Sequence, residues 1–110
     1  MGAIAFEAAA ALDAYEEGLL RLRQSRAEPA LLAHAGTDLH RVCGCCIHLP
    51  QLSVGCVTLL LSHYRLMRRL AGGSGALAEA EGRTALEAHQ RCIAALRRSC
   101  RELLLAPRLH

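Results

Sequence analysis

Four stretches of the chain place apolar residues three and four positions apart, the spacing that gathers them on one side of an α-helix. Proline or glycine separates each stretch from the next. We predict helices over residues 3–25, 29–46, 50–71 and 76–105. Leucine and alanine dominate the apolar residues and β-branched residues are few, which favours helix over strand. The pattern therefore predicts an all-α fold, a bundle of four helices.

The second stretch contains the one ambiguity in this division. Residues 36–38 read Gly-Thr-Asp, and the side-chain oxygen of Thr37 or Asp38 can cap the start of a helix. A break at this point would give a bundle of five helices. Pro29 suits the first position of the second helix, and Pro50 ends the stretch because the residue before a proline avoids helical geometry.

The length of 110 residues suits one domain, and a hydrophobic fraction of 53% is enough to build its core. We predict a single helical domain over residues 1–110, with residues 72–75 (Gly-Gly-Ser-Gly) as a flexible break before the last helix. Short connections predict antiparallel neighbours. The third helix is the most apolar and is expected to be central. Its predicted apolar face consists of Leu52, Cys56, Leu59, Leu60, Tyr64 and Met67, widened by Val57 and Leu61.

Composition narrows the classes of function. The net charge is +3, and all 13 basic residues are arginine. Aromatic residues make up only 3%, so the sequence lacks the mixture of basic and aromatic residues that is typical of proteins that bind single-stranded nucleic acid. We do not expect nucleic acid as a partner. No basic segment precedes the apolar start, and the longest apolar run, residues 49–61, is too short to span a bilayer. We expect no membrane association and a cytoplasmic or nuclear location, where the six cysteines stay reduced.

The densest group of reactive side chains is Cys43, Cys45, Cys46 and His48. These soft ligands lie at the density of a metal site, so zinc is one hypothesis, although no second ligand pair follows at the usual spacing. Apart from zinc, no cofactor is predicted. Alternatively, Cys43 and Cys46 are small core residues, because free cysteine is among the most buried residue types. Redox sensing by Cys45 is a third interpretation, and it needs an exposed thiolate of lowered pKa.

Histidines form the second reactive set. No catalytic motif or phosphate-binding loop is present, and we favour a protein without enzymatic activity. If the chain is an enzyme, we predict a cofactor-independent cyclase or isomerase whose acid–base groups are His34, Asp38, His40, His63 and Tyr64. His34 and Asp38 lie one helical turn apart and can pair. The alternative is that these side chains belong to a solvated polar face.

One run of residues resembles a known family. The run begins at Leu39, continues through Val42-Cys43-Gly44-Cys45 and Pro50-Gln51-Leu52, and ends with an apolar helix to Tyr64. It is similar to the carboxy-terminal domain of fungal aflatoxin-type zinc-cluster transcription regulators. The resemblance implies a helical effector or interaction module of secondary-metabolism regulation. In that family, an amino-terminal zinc cluster of six cysteines contacts the DNA. The six cysteines of the present sequence do not show the two C-x₂-C arms of that cluster. The resemblance therefore implies a chain that does not itself bind DNA.

Three functions stay open at this point. An interaction module, which we favour, would self-associate or bind a protein partner through an exposed apolar helix face. A small bundle would instead bind or cyclise an apolar, polyketide-like molecule in a central pocket, with at least two of the five acid–base candidates pointing inward. The third function is a metal- or redox-responsive cysteine protein.

Overall fold

The computed structural model describes residues 2–24, 29–71 and 80–105. Within these ranges the chain forms four helices, α1 (Gly2–Gln24), α2 (Pro29–Cys46), α3 (Pro50–Ala71) and α4 (Ala80–Leu105). The all-α bundle is confirmed, and α2 and α3 have the predicted bounds. The predicted break at residues 72–75 and the predicted start of the last helix at residue 76 lie outside the described residues.

Helix α2 runs without a break through residues 36–38, so the described chain has four helices rather than five. Thr37 does not cap a helix here. Its Oγ1 donates to the carbonyl of Ala33, one turn earlier, at 3.2 Å, as threonines inside helices often do. Asp38 is buried against α1, where a Cβ added to Gly18 would lie 3.4 Å from its Oδ2. The alternative of a second helix start at Thr37 or Asp38 is therefore wrong.

A tight turn joins α2 to α3. The backbone N–H of Ile47 donates to the carbonyl of Cys43 at 3.0 Å, and that of Leu49 donates to the carbonyl of Cys46 at 3.1 Å. These bonds satisfy carbonyls that the end of α2 would otherwise leave without partners. Leu49 is buried in the turn, and Pro50 begins α3, where its missing N–H has no consequence.

The helices form a closed ring in the order α1, α2, α3, α4. Helix α1 contacts α2 and α4, and α3 contacts α2 and α4, whereas no described Cα atoms of the diagonal pairs lie within 8 Å of each other. Arg97 of α4 forms ion pairs with Asp13 at 2.6 Å and Glu16 at 2.8 Å, and both acids belong to α1. The last helix therefore packs against the first and closes the bundle.

Neighbouring helices are antiparallel, as the short connections predict. Gly55 of α3 packs against Leu96 of α4, and Ser62, further along α3, meets His89, which is earlier on α4. A Cβ at position 55 would lie only 3.1 Å from Cδ1 of Leu96, so the glycine lets these two helices approach closely. The result is an up-down-up-down bundle.

On every helix, most of the buried positions follow alternating steps of three and four residues, a seven-residue repeat. They are Ala5, Ala8, Leu12, Tyr15, Leu19 and Leu22 on α1; Ala35, Leu39, Val42 and Cys46 on α2; Leu52, Cys56, Leu59, His63, Leu66 and Leu70 on α3; and Leu86, His89, Ile93, Leu96 and Cys100 on α4. This repeat averages 3.5 residues per turn, which keeps the buried face toward its neighbours when helices wrap gently around each other. Three of these core positions carry polar groups, and they define the site described below.

The structure corrects the predicted apolar face of α3. The spacing predicts Val57, Leu61 and Tyr64 on the core face, and this is wrong, because all three are more than half exposed. His63 and Leu66 are buried instead. Helix α3 carries apolar residues on two sides, so periodicity alone does not say which side faces inward. His63 can face inward because it finds a hydrogen-bond partner in the core.

Candidate functional site

A chain of hydrogen bonds runs through the middle of the bundle. The Tyr15 hydroxyl lies 2.7 Å from Nδ1 of His63 and 2.7 Å from Nε2 of His89. Nδ1 of His89 lies 2.7 Å from Oγ of Ser62. Tyr15 and His89 have no exposed surface, and His63 is 3% exposed. This polar network therefore joins α1, α3 and α4 at the centre of an otherwise apolar core.

Burial keeps the three rings of the network uncharged. Burial lowers the pKa of His89 to about 4, and the neighbouring His63 contributes to the shift. The pKa of His63 is also lowered, first by burial and then by His40. Burial raises the pKa of Tyr15 far above its ordinary range, and Cys43 adds to that shift. Near neutral pH the network consists of a neutral phenol and two neutral imidazoles.

Neutral rings leave two arrangements of the hydrogens. In the first, Ser62 donates to Nδ1 of His89, the Nε2–H of His89 donates to the Tyr15 oxygen, and the Tyr15 hydroxyl donates to Nδ1 of His63. In the second, every bond is reversed, so that the Nδ1–H of His89 donates to Oγ of Ser62. Only the second arrangement leaves the hydroxyl hydrogen of Ser62 available to a group outside the core.

Ser62 also lines a groove between α3 and α4. The groove has a volume of about 650 Å³. The described residues that line it are Ser62, Arg65, Leu66, Arg68, Arg69, Thr84, Ala85 and Ala88. None of these residues is acidic, and the volume is in the range of small-molecule sites. One end of the buried network therefore reaches a basic groove on the surface.

Of the five predicted acid–base residues, only His63 joins the network. Asp38 is buried beside α1 and lies 3.8 Å from Nε2 of His34, in agreement with the predicted pairing. His34, His40 and Tyr64 are exposed. The Tyr64 ring meets the edge of the His63 ring from outside, with centroids 5.7 Å apart. The five residues do not converge on one cavity, and none of them is among the described residues that line the groove.

Three of the four residues in the network are not among the predicted acid–base residues, namely Tyr15, Ser62 and His89. Tyr15 falls on the three- and four-residue spacing of the apolar positions Ala8, Leu12 and Leu19, which predicts a core residue without a chemical role, and it is buried. A usable signal was present in the positions of His63 and His89, which fall on the seven-residue repeat of their helices. A histidine at a core position requires a hydrogen-bond partner, and a tyrosine at a core position of another helix can supply one.

The cysteine cluster forms a thiol contact between α2 and α3. Sγ of Cys56 lies 3.1 Å from Sγ of Cys43. Cys46 is fully buried, as the core interpretation predicts, whereas Cys43 and Cys45 are partly buried. His48 is exposed in the turn after α2. The four predicted metal ligands therefore lie in different environments: Cys46 in the core, Cys43 and Cys45 at its edge, and His48 in the solvent.

The thiols of this cluster are poor nucleophiles near neutral pH. Burial raises the pKa of Cys43 and of Cys46 to about 12. The pKa of Cys45 is also raised, by burial and then by Glu7, although Arg41 opposes the shift. This direction is opposite to the one that redox sensing needs. Among the residues that the structure describes, no group of three or more His, Cys, Asp or Glu side chains is arranged to hold a metal ion.

No protein-family model, curated protein or solved structure matches the chain. The resemblance to fungal aflatoxin-type regulators therefore stays a prediction that depends on the cysteine motif. In the described part of the chain, no helix has the length and apolar character needed to cross a membrane.

Proposed function

We propose that this chain is a helical interaction module that self-associates through the exposed side of α3. Val54, Val57, Leu61 and Tyr64, which we call the outer stripe, are 77%, 55%, 54% and 57% exposed. They follow each other at steps of three, four and three residues, the same spacing as the core face of this helix. Single exposed apolar residues are normal, but a contiguous stripe at this spacing is typical of a helix that packs against a further helix. The outer stripe is the observation that supports the proposal.

The outer stripe lies on the opposite side of α3 from the core. At about 100° per residue, it is turned by roughly 160° from the buried face of the same helix. Helix α3 can therefore keep its place in the bundle and present a second apolar surface to a partner.

The charge pattern favours a second copy of the chain, paired antiparallel. Helix α3 contains no acidic residue, and its basic residues Arg65, Arg68 and Arg69 all lie near its C-terminal end. A parallel pair of α3 helices would bring these like charges together. An antiparallel pair about a two-fold axis places the arginines of one copy beside the uncharged end of the other, near Ser53 and Val54.

The size of the outer stripe predicts a weak dimer. Four large side chains that are at least half exposed present an apolar patch on the order of 400 Å² per copy, the size of patch that often has a function. Burying this patch on two copies, with a polar rim, reaches the low end of specific interfaces, roughly 1,200 Å² in total. We therefore expect a dissociation constant in roughly the micromolar range.

The cysteine motif agrees with this proposal. The resemblance implies an effector or interaction part of a secondary-metabolism regulator, acting without DNA contacts of its own.

Sedimentation velocity tests the proposal on the wild type and the variant Leu61→Glu. The matched control is Leu20→Glu on α1, since Leu20 is 46% exposed and lies outside the outer stripe. Between about 5 μM and about 500 μM, a range that brackets a micromolar dissociation constant, the wild type and the control should pass from monomer to dimer mass. Leu61→Glu should stay monomeric with an unchanged helical circular-dichroism spectrum. A monomeric wild type at every concentration, or equal loss of association in both variants, would refute self-association through the outer stripe.

A further inference from the structure

We propose that the groove between α3 and α4 binds a phosphate monoester, which Arg65 and Arg68 hold by the phosphate while Ser62 donates a hydrogen bond to it. The described residues that line the groove belong to α3 and α4 of a single copy of the chain, although Arg68, one turn beyond Tyr64, also continues the spacing of the outer stripe. The proposal therefore does not depend on self-association.

The two arginines supply the charge that selects an anion. Arg65 and Arg68 are three residues apart on α3, so both side chains reach the same groove. Both are exposed, and neither has an ion-pair partner among the residues that the structure describes. A guanidinium group binds phosphate oxygens through two parallel hydrogen bonds. Arg69 and Thr84 also line the groove but have interactions of their own, so nothing in the proposal depends on them.

The size and the walls of the groove point to an ester rather than to a bare phosphate ion. A volume of about 650 Å³ holds much more than one phosphate group. Leu66, Ala85 and Ala88 provide an apolar wall beside the arginines. This wall fits a compact apolar group attached to the phosphate.

The buried network positions Ser62 as a donor. A phosphate only accepts hydrogen bonds from Ser62, so its binding favours the arrangement in which Ser62 donates outward and accepts from the Nδ1–H of His89. Tyr15 then donates to Nε2 of His89 and accepts from the Nδ1–H of His63. Reaching this arrangement from the first moves three hydrogens across their hydrogen bonds, while Nε2 of His63 releases one proton and Ser62 takes one up, so the net charge of the core is unchanged. Tyr15 and His89 are therefore positioning residues for Ser62.

Phenyl phosphate is the probe for this site, and amide chemical shifts of the ¹⁵N-labelled protein measure its binding. We expect shifts in the segments of α3 and α4 that line the groove, weaker binding of inorganic phosphate, and no shifts with phenol. The double variant Arg65→Gln/Arg68→Gln should bind at least about tenfold more weakly, because it loses charge-assisted hydrogen bonds. Arg98→Gln/Arg101→Gln is the matched control, since both arginines are exposed on α4 at the same spacing and do not line the groove. No shifts in the groove, or equal weakening by the two double variants, would overturn the site.

The role of Ser62 has its own readout. Ser62→Ala should weaken binding several-fold, and Ser62→Thr, which keeps the hydroxyl, should restore most of it. Long-range ¹H–¹⁵N correlation spectra should show His89 protonated on Nδ1 in the saturated complex. A saturated complex with His89 protonated on Nε2, or a Ser62→Ala protein that binds as well as the wild type, would overturn this role even if the arginines bind the phosphate.

Discussion

Replacing Tyr15 by phenylalanine should destabilise the bundle by about 3 kcal/mol. The substitution keeps the ring and removes the one atom that both histidines share, at 2.7 Å from Nδ1 of His63 and 2.7 Å from Nε2 of His89. Both nitrogens then lie in the core without this partner, and leaving a buried polar group unsatisfied costs about 1–3 kcal/mol. Part of this loss is recovered because the tyrosine hydroxyl no longer has to be buried. The expected loss is a large share of the roughly 5–15 kcal/mol that stabilises a typical domain.

Urea denaturation followed by circular dichroism at fixed protein concentration measures this loss. For a chain of this length, the same change should lower the melting temperature by about 12 °C. Tyr64→Phe is the matched control, because Tyr64 is more than half exposed and its hydroxyl has no hydrogen-bond partner among the described residues. The control should stay within about 0.5 kcal/mol of the wild type. Equal free energies of unfolding for the two variants would show that the buried network does not stabilise the core.

Two further measurements test the core and α2. The pKa of His89 is lowered to about 4, and that of His63 is also lowered, so below the ordinary value of 6.5 the unfolded chain binds more protons than the folded one. The free energy of unfolding should therefore fall as pH drops from 6.5 toward 4. For His89 alone, the expected loss between pH 7.5 and pH 5 is about 2 kcal/mol. Urea titrations at those two pH values check this, and equal free energies of unfolding would contradict it. In the middle of α2, a Cβ added to Gly36 would meet no atom within 4 Å apart from its chain neighbours and the nearby backbone of α2. Gly36→Ala should therefore raise the free energy of unfolding by about 0.5–1 kcal/mol in the same assay, and a loss would indicate strain at this position.

The four helices could be predicted from the sequence because their signals are local. Pro29 and Pro50 mark the starts of α2 and α3, and the steps of three and four residues between apolar positions establish helical geometry without knowledge of the fold. The same spacing predicts that Tyr15 and Cys46 are core residues, and both are fully buried. The hydrogen bond that α2 makes through Thr37 was less predictable, because the same side chain can cap a helix or bond within one.

The orientation of α3 and the chemistry of the core depend on tertiary structure. Both sides of α3 carry apolar residues, so the sequence alone supports either side as the buried one. The choice depends on His63, whose partner Tyr15 is 48 residues away, and Tyr15 in turn reaches His89, 74 residues away. Helix periodicity is a property of neighbouring residues, whereas a hydrogen bond between distant helices exists only after the helices have packed. For that reason the sequence by itself determined the helices and the bounds of α2 and α3, and only the packed bundle decided which polar groups meet in the core and which apolar stripe stays exposed.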